Sequence, residues 1–166
     1  MKVLLSLAAL AFLVAPVVAQ QAPAPPPTYE QATANSWRRV HDKLLAMAKD
    51  FPEDKLGWKP HADSRSVAEE LRHVTIGLKM NTAMLKGERP NYQTMVKEDA
   101  AKPAARASIV AEMEAAIAES YPLVQSTPSP RLIGWLEHQG EHYGKLVNAY
   151  RSNGLVPPVS RAAAGG

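Results

Sequence analysis

Helical periodicity dominates this chain. Four segments of about 20 residues carry apolar side chains at spacings of three and four residues, which places those side chains on one face of an α-helix. Runs that alternate apolar and polar residues, the usual sign of a half-buried strand, are nearly absent. Amphipathic helices of this kind bury their apolar faces against one another. The sequence therefore predicts an all-α fold, a four-helix bundle.

The first two predicted helices have recognisable ends. The first runs from about Thr28 to Lys49 and stops before Phe51-Pro52. The second opens with Ser66 and Glu69 in the spacing of a capping box, and it ends at Lys86-Gly87. Their predicted inner stripes are Trp37, Val40, Leu44 and Ala48 in the first helix, and Val67, Leu71, Val74, Leu78 and Leu85 in the second.

The third predicted helix extends from about Pro103 to Val124, and Pro122 is expected to bend or end it. The fourth begins with Ser129 as its cap and Pro130 in its first turn, and it continues to about residue 152. Between the second and third helices, the connection from Gly87 to Lys102 is long for a bundle turn. We expect it to cross the end of the bundle or to cover a site.

The N-terminal residues have the pattern of a secretory signal peptide. Lys2 supplies a positive charge, residues 3–14 are apolar, and Val17-Val18-Ala19 form a small-residue cleavage site. The apolar run is shorter than the roughly 20 residues that span a bilayer. We therefore expect residues 1–19 to be removed and the protein to be exported, either periplasmic or secreted, with no stable membrane insertion after cleavage.

The rest of the chain divides by composition. Residues 20–27 are a proline-rich linker, residues 28–158 form one helical domain, and residues 159–166 are expected to be a disordered tail. The chain has no cysteine, so packing or a metal must hold an exported domain together. Loss of Lys2 leaves 18 basic against 16 acidic residues, a net charge of +2. These charges are scattered, and we therefore expect no nucleic acid partner.

Three of the five histidines form a candidate metal site. His138 and His142 lie one helical turn apart and share the buried face of the fourth helix with Trp135 and Leu146. Two such imidazoles can converge on one ion, although they can also be partly exposed and hydrogen-bonded. His73 lies at an overlapping depth of the second helix, within about two turns, so a third ligand is available.

Other polar residues have alternative roles. His41, near the inner stripe of the first helix, is a fourth ligand, a partner of a ligand, or a core histidine bonded to a carbonyl; the last two are favoured. His61 lies in a loop and is expected to be solvated. Glu70 is the best carboxylate candidate for a general base, or else it is solvated or paired with an arginine. Glu137 and Glu141 are predicted to point away from the histidine face.

Two segments resemble the DinB/YfiT-like family of metalloenzymes: LGWKPHADSRSVAEELRHV and LEHQGEHYGKLVNAYRSNGLVPP. The resemblance covers about Thr28 to Pro158. It implies a four-helix bundle in up-down-down-up order, with the long connection between helices two and three as the crossover. It also implies a divalent metal, nickel or zinc, bound by His73, His138 and His142. Relatives are often dimers, so a homodimer is possible.

Three imidazoles on one ion leave coordination positions open for chemistry. No GxSxG motif and no cysteine nucleophile compete with this interpretation, and no catalytic side chain is identified. The first hypothesis is a metal-dependent hydrolase or transferase that acts on an unknown small molecule. The alternative is a non-catalytic module of the cell envelope that binds a metal or a small ligand. A plain bundle without an ion is the third hypothesis.

Overall fold

The computed structural model describes residues 24–164, and this part of the chain contains helices and no strand. The all-α prediction is confirmed. The predicted signal peptide and the first residues of the linker lie outside the described residues. The helices are α1 (Tyr29–Asp50), α2 (Val67–Leu85), α3 (Tyr92–Ala100), α4 (Arg106–Ser126), α5 (Arg131–Ser152) and α6 (Pro158–Ala164), and a single 3₁₀ turn spans Glu53–Lys55.

Capping boxes begin both α1 and α2. At α2, the backbone N–H of Ser66 donates to the Glu69 carboxylate at 2.6 Å, and the N–H of Glu69 donates to the Ser66 hydroxyl at 3.2 Å. Thr28 and Gln31 make the same reciprocal pair at α1. Each box satisfies backbone N–H groups that have no partner inside the helix. The predicted start of α2 at Ser66 is therefore confirmed.

The long connection between α2 and α4 contains a short helix of its own, α3. The side chain of Asn91 caps it by accepting a hydrogen bond from the N–H of Thr94 at 3.1 Å. Its far end is fastened to α2 because the guanidinium of Arg72 lies 3.0 Å from the carboxylate of Asp99, and both side chains are nearly buried. The connection thus contains a short helix that packs against α2.

The end of α4 and the C-terminal tail differ from the sequence prediction. The helix α4 continues past Pro122 to Ser126, because the missing N–H of a proline removes a single bond in the last turns and the N–H of Thr127 still bonds to the Leu123 carbonyl. The tail expected to be disordered over residues 159–166 is helical over residues 158–164. Arg161 holds this helix by an ion pair of 2.7 Å with Asp50 on α1.

Side-chain pairs define the direction of each bundle helix. In the contacting pairs of α1 and α4, residue numbers fall along α4 as they rise along α1, so these two helices are antiparallel. In the pairs of α2 and α4, residue numbers rise together, so these two helices are parallel. The pairs are Trp37 with Ser120 and Lys49 with Glu114 for α1 and α4, and Lys79 with Glu112 and Lys86 with Glu119 for α2 and α4.

Contacting residue pairs also give the direction of α5. It is parallel to α1, because the rings of Trp37 and Trp135 lie 6.5 Å apart and the hydroxyl of Tyr150 donates to the Met47 carbonyl further along. It is antiparallel to α2, as shown by the contacts of its histidines described below. The order is therefore up-down-down-up, with α3 in the crossover, as predicted. Among the helices of residues 24–164, none combines the length and apolarity needed to cross a membrane.

Apolar side chains from all four long helices fill the interior of the bundle. The predicted stripes supply it, with Val40 and Leu85 only partly buried at its edge. The largest side chains with less than 2 % exposure include Trp37, Leu44, Leu71, Leu78, Met113, Leu146 and Tyr150. Polar groups also enter this core from α2 and α5, and they form the candidate site.

Candidate metal centre

Three histidines from two antiparallel helices meet at one point of the bundle. A ring nitrogen from each of His73, His138 and His142 can be chosen such that all three atoms lie within 4.8 Å of one another. The Nε2 atoms of His138 and His142 are 3.0 Å apart, and the ring centroids of His73 and His142 are separated by 4.6 Å. The structure thus brings together the three residues that the sequence singled out, and this group could hold a metal ion.

Glu70 orients the ring of His142. Its Oε1 lies 2.5 Å from Nδ1 of His142, and both side chains are more than nine-tenths buried. Because an ionised carboxylate only accepts hydrogen bonds, Nδ1 carries the proton and donates it. In the neutral ring, the lone pair of His142 is then on Nε2, which is the atom that faces His138.

Tyr92, the first residue of the short helix α3, orients His73 in a similar way. Its hydroxyl lies 2.9 Å from Nδ1 of His73. When this nitrogen donates to the hydroxyl oxygen, the other ring nitrogen presents its lone pair to the remaining histidines. Hydrogen bonds of this kind set the tautomer and the ring orientation of metal-binding histidines in proteins. Two of the three imidazoles are therefore held by side chains that are distant in sequence.

The local electrostatics favour neutral imidazoles. Burial, followed by the charges of Arg65, His142 and His138, lowers the pKa of His73 to about 4. Burial and the neighbouring His142 also lower the pKa of His138. At neutral pH both rings are unprotonated, which is the form that binds metals.

Glu70 remains ionised in this setting. Burial alone raises the pKa of its carboxyl, but the hydrogen bond from His142 and the charges of His142, Lys145 and Arg65 outweigh that effect, and the pKa lies below its usual range. The carboxylate sits on the Nδ1 side of the His142 ring, opposite the Nε2 cluster. This position fits a partner of a ligand better than a general base. Glu137 and Glu141 are exposed, as predicted.

Gly77 allows α5 to pack closely on α2 beside the centre. A Cβ atom at this position would lie 3.4 Å from Nε2 of Gln139 and 3.8 Å from Cε1 of His138. The side chain of Gln139 is fully buried, and its amide lies 3.4 Å from the carbonyl of Val74. A side chain at position 77 would thus contact Gln139 and His138 of α5.

The remaining histidines lie outside this group. His41 has no exposed surface, and its Nδ1 lies 2.8 Å from the carbonyl of Trp37, to which it donates. Burial lowers its pKa to about 4. Of the two favoured predictions, the core histidine bonded to a carbonyl is confirmed. His61 is exposed and lies 3.7 Å from the carboxylate of Asp63, in agreement with its predicted solvation.

Two open cavities flank the centre. One has a volume of about 600 Å³ and is bordered by Trp58, Arg65, Glu70 and Lys145. The other, of about 550 Å³, is bordered by His73, Tyr92 and again Arg65. Asp63, Ser64 and Arg65 border both cavities, so the two cavities are neighbours along this segment. Both volumes are in the range of small-molecule sites.

Sequence reasoning missed the contributions of Tyr92, Arg65 and Lys145. Tyr92 lies in a connection without a long apolar stripe, so no periodicity indicated where it would point. Arg65 is in the loop before α2, and Lys145 is one of many exposed lysines. Glu70 was singled out for its position on α2, but its partner on α5 depends on how the two helices pack.

The donor set suits a borderline divalent ion. Neutral imidazole nitrogens bind zinc, nickel, copper and iron(II). In a tetrahedral zinc site with bonds of about 2.0–2.1 Å, ligand nitrogens are separated by about 3.3 Å, close to the 3.0 Å between the Nε2 atoms of His138 and His142. The residues present therefore fit such an ion.

Comparison with known proteins agrees with this architecture. The family model described as the DinB superfamily matches residues 36–145, more than half of the 166-residue chain, and the match includes all three histidines. No curated protein and no solved structure matches the chain. From its family-model match and its helical bundle, the chain belongs to the DinB superfamily.

Proposed function

We propose that this protein binds a divalent metal, zinc or nickel, through His73, His138 and His142, and that it is a metal-dependent hydrolase or transferase acting on a small molecule. The observation that carries the metal site is the 3.0 Å separation of the Nε2 atoms of His138 and His142, while Nδ1 of His142 is committed to Glu70.

Two ring nitrogens at that distance need either a shared proton or a cation between them. The Nε2 atom of His142 is an acceptor, because its proton is on Nδ1. A proton on Nε2 of His138 would satisfy the pair, but it would leave His73 without a role in the cluster. A cation shared by all three lone pairs satisfies them together, and it removes the cost of burying imidazoles that lack partners.

The side chains around the centre perform the tasks that catalysis at such a site requires. Glu70 and Tyr92 hold two of the rings in a fixed tautomer, and the two neighbouring cavities, which share Arg65, have room for a small substrate. A divalent ion held by three imidazoles supplies a Lewis acid that polarises a carbonyl or phosphoryl group or activates water.

A second candidate function is a non-catalytic module of the cell envelope that binds a metal or a small ligand. One observation favours it: Glu70, the carboxylate nearest to the histidines, already accepts from His142 and lies 3.5 Å from Arg65 and 3.9 Å from Lys145. In residues 24–164, the histidine cluster includes no carboxylate ligand or free base.

The setting of this activity is also a proposal. The signal-peptide pattern of residues 1–19 supports export to the periplasm or the exterior, and the absence of cysteine agrees with a domain held by packing and a metal. A homodimer is proposed from family resemblance alone. The scattered positive charges and the low net charge argue against nucleic acid as a partner.

Metal analysis of untagged, purified protein tests the proposal. We expect about one divalent ion per chain, with loss of that ion in His138→Ala and retention in His61→Ala, a matched change of an exposed histidine. Equal metal content in both variants would exclude the assignment. A screen of the metal-loaded protein against esters, amides and phosphoesters separates the two functions, because only the enzyme turns over a substrate that His138→Ala does not.

A further inference from the structure

We propose that the cavity beside Glu70 is an anion subsite, and that the substrate of the metal centre is a small organic anion whose charged head binds Arg65 and Lys145. This inference rests on the proposed function, because it places the anion next to a metal-loaded cluster. It adds the substrate class, which neither the histidines nor the family match indicates.

Two cations converge on one carboxylate from different parts of the chain. Arg65 precedes α2 and approaches Oε2 of Glu70 at 3.5 Å, while Lys145 on α5 approaches Oε1 at 3.9 Å. Both separations are long for direct hydrogen bonds. Glu70 makes its short contact, of 2.5 Å, with His142 instead. Glu70 therefore pairs with Arg65 only at the limit of hydrogen-bond distance and with Lys145 only as a longer ion pair.

The local charge balance is positive once the ion is bound. Within the described residues, Glu70 is the acidic partner of both Arg65 and Lys145, and one carboxylate cannot neutralise two side-chain cations and a divalent ion. Asp63 also borders the cavity, but its side chain is 94 % exposed and lies beside His61. Because solvent screens exposed charges, Asp63 offsets less of this potential than the buried Glu70 does.

Both cations are free to move onto a ligand. The side chain of Arg65 is 45 % exposed and that of Lys145 is 58 % exposed, and each borders the open volume of about 600 Å³. The planar guanidinium can bind a carboxylate or phosphate through two parallel hydrogen bonds, and the lysine adds a third donor. The shared chemistry of the ligand is therefore an anionic head group.

The rest of the cavity wall indicates the body of the ligand. It presents an aromatic ring and aliphatic carbons beside the two cations, and these residues are Trp58, Pro60, Val67, Leu146 and Ala149. Such a surface binds apolar or aromatic carbon skeletons rather than inorganic ions. The histidines do not line this cavity, but it adjoins the centre: Glu70 on its wall contacts His142, and Arg65 also borders the second cavity, which His73 lines.

Benzoate and its uncharged analogue benzamide test the inference on the zinc-loaded full-length protein. The indole N–H resonance of Trp58 reports binding in this cavity, and that of the buried Trp37 serves as an internal reference. We expect benzoate to shift the Trp58 resonance saturably and benzamide to bind about tenfold more weakly, because charge-assisted hydrogen bonds are lost.

Substitutions of Arg65 and Lys145 test whether these two side chains bind benzoate. Arg65→Gln and Lys145→Gln should each weaken benzoate binding by about five- to tenfold with unchanged zinc content. Lys49→Gln, which removes an equally exposed lysine that pairs with Glu114 on the α1–α4 face, should leave it unchanged. Equal binding of benzoate and benzamide, or wild-type affinity in the Arg65→Gln, Lys145→Gln double variant, overturns the inference.

Zinc content separates failure of the subsite from failure of the proposed function. A protein that holds one zinc ion but shows no Trp58 response to benzoate refutes the anion subsite and leaves the metal centre standing. A protein that holds no zinc refutes the metal centre whatever benzoate does.

Discussion

Glu70 and His142 are separated by 72 residues in the chain, yet Oε1 of the first lies 2.5 Å from Nδ1 of the second. This contact joins α2 to α5 and decides which nitrogen of His142 faces the other histidines. It makes Glu70 part of the candidate metal centre, as the partner of a proposed ligand. Changes at Glu70 should therefore act on metal affinity.

Glu70→Gln should lower the affinity for zinc by about 10- to 100-fold, as is typical when a carboxylate behind a metal-binding histidine is replaced. The amide keeps the size of the side chain but weakens the hold on His142 and removes a negative charge. Competition with a fluorescent chelator measures the change. Glu137→Gln, an exposed change next to His138, is the control, and equal affinities of the two variants would contradict the role of Glu70.

Tyr92→Phe should weaken zinc binding by about tenfold, because it removes the hydroxyl that lies 2.9 Å from Nδ1 of His73. The ring remains, so the thermal midpoint of the metal-free protein should hardly change. The same chelator competition measures the affinity. Tyr29→Phe removes an exposed hydroxyl and should have no effect. Unchanged affinity in Tyr92→Phe would show that α3 does not support the centre.

Gly77→Ala and Gly77→Leu should have opposite effects. The added Cβ of alanine meets Gln139 and His138 at ordinary contact distances of 3.4 and 3.8 Å, so the variant should retain zinc and gain up to about 1 kcal/mol from helix propensity. Leucine places further atoms against the same groups and should displace His138. Thermal denaturation and metal content check both results. Full zinc content in Gly77→Leu would mean that the two helices separate without disturbing the histidines.

His41 should make the metal-free protein less stable in acid. Its pKa falls from 6.5 in the unfolded chain to about 4 in the core. Between these values the unfolded chain takes up a proton that the folded protein does not, so the stability contribution is complete above pH 6.5 and declines as the pH falls towards 4. At about 1.4 kcal/mol per pKa unit, the decline reaches about 3 kcal/mol at pH 4.

Urea denaturation at pH 7 and pH 4, in wild type and His41→Phe, measures this contribution. The variant replaces a buried ring by another ring and has no group to protonate, so its loss of stability between the two pH values should be smaller by about 3 kcal/mol. An equal loss in both proteins would show that His41 does not titrate as its burial requires. Chelator is present throughout, so metal release does not enter the comparison.

Some elements follow from local sequence, because their causes act within a few residues. The capping box of Ser66 and Glu69 needs only residues three apart, and the shared face of His138 and His142 needs only one helical turn. The depth of His73 also followed from its distance to a helix start. The third histidine of the candidate site could therefore be predicted from the sequence, whereas its hydrogen-bond partner Tyr92 could not.

Other contacts depend on how separate elements pack. Tyr92 reaches His73 because α3 is held against α2 by the pair of Arg72 and Asp99, 27 residues apart. The helix over residues 158–164 is likewise held to α1 by the ion pair of Arg161 with Asp50. No periodicity in either segment specifies these partners.

By itself, the sequence determined four amphipathic helices, the capping box of α2 and a set of three histidines at matching depths, because helix geometry converts spacing along the chain into position on a face. The predicted Ser129 cap is wrong, because α5 begins after Pro130 and has no side-chain cap. Only the tertiary structure decided that Glu70 lies behind His142, that Tyr92 lies behind His73 and that Arg65 and Lys145 share one cavity. Those contacts depend on the rotation and axial register of each helix against its neighbours, which the packing of the whole core sets.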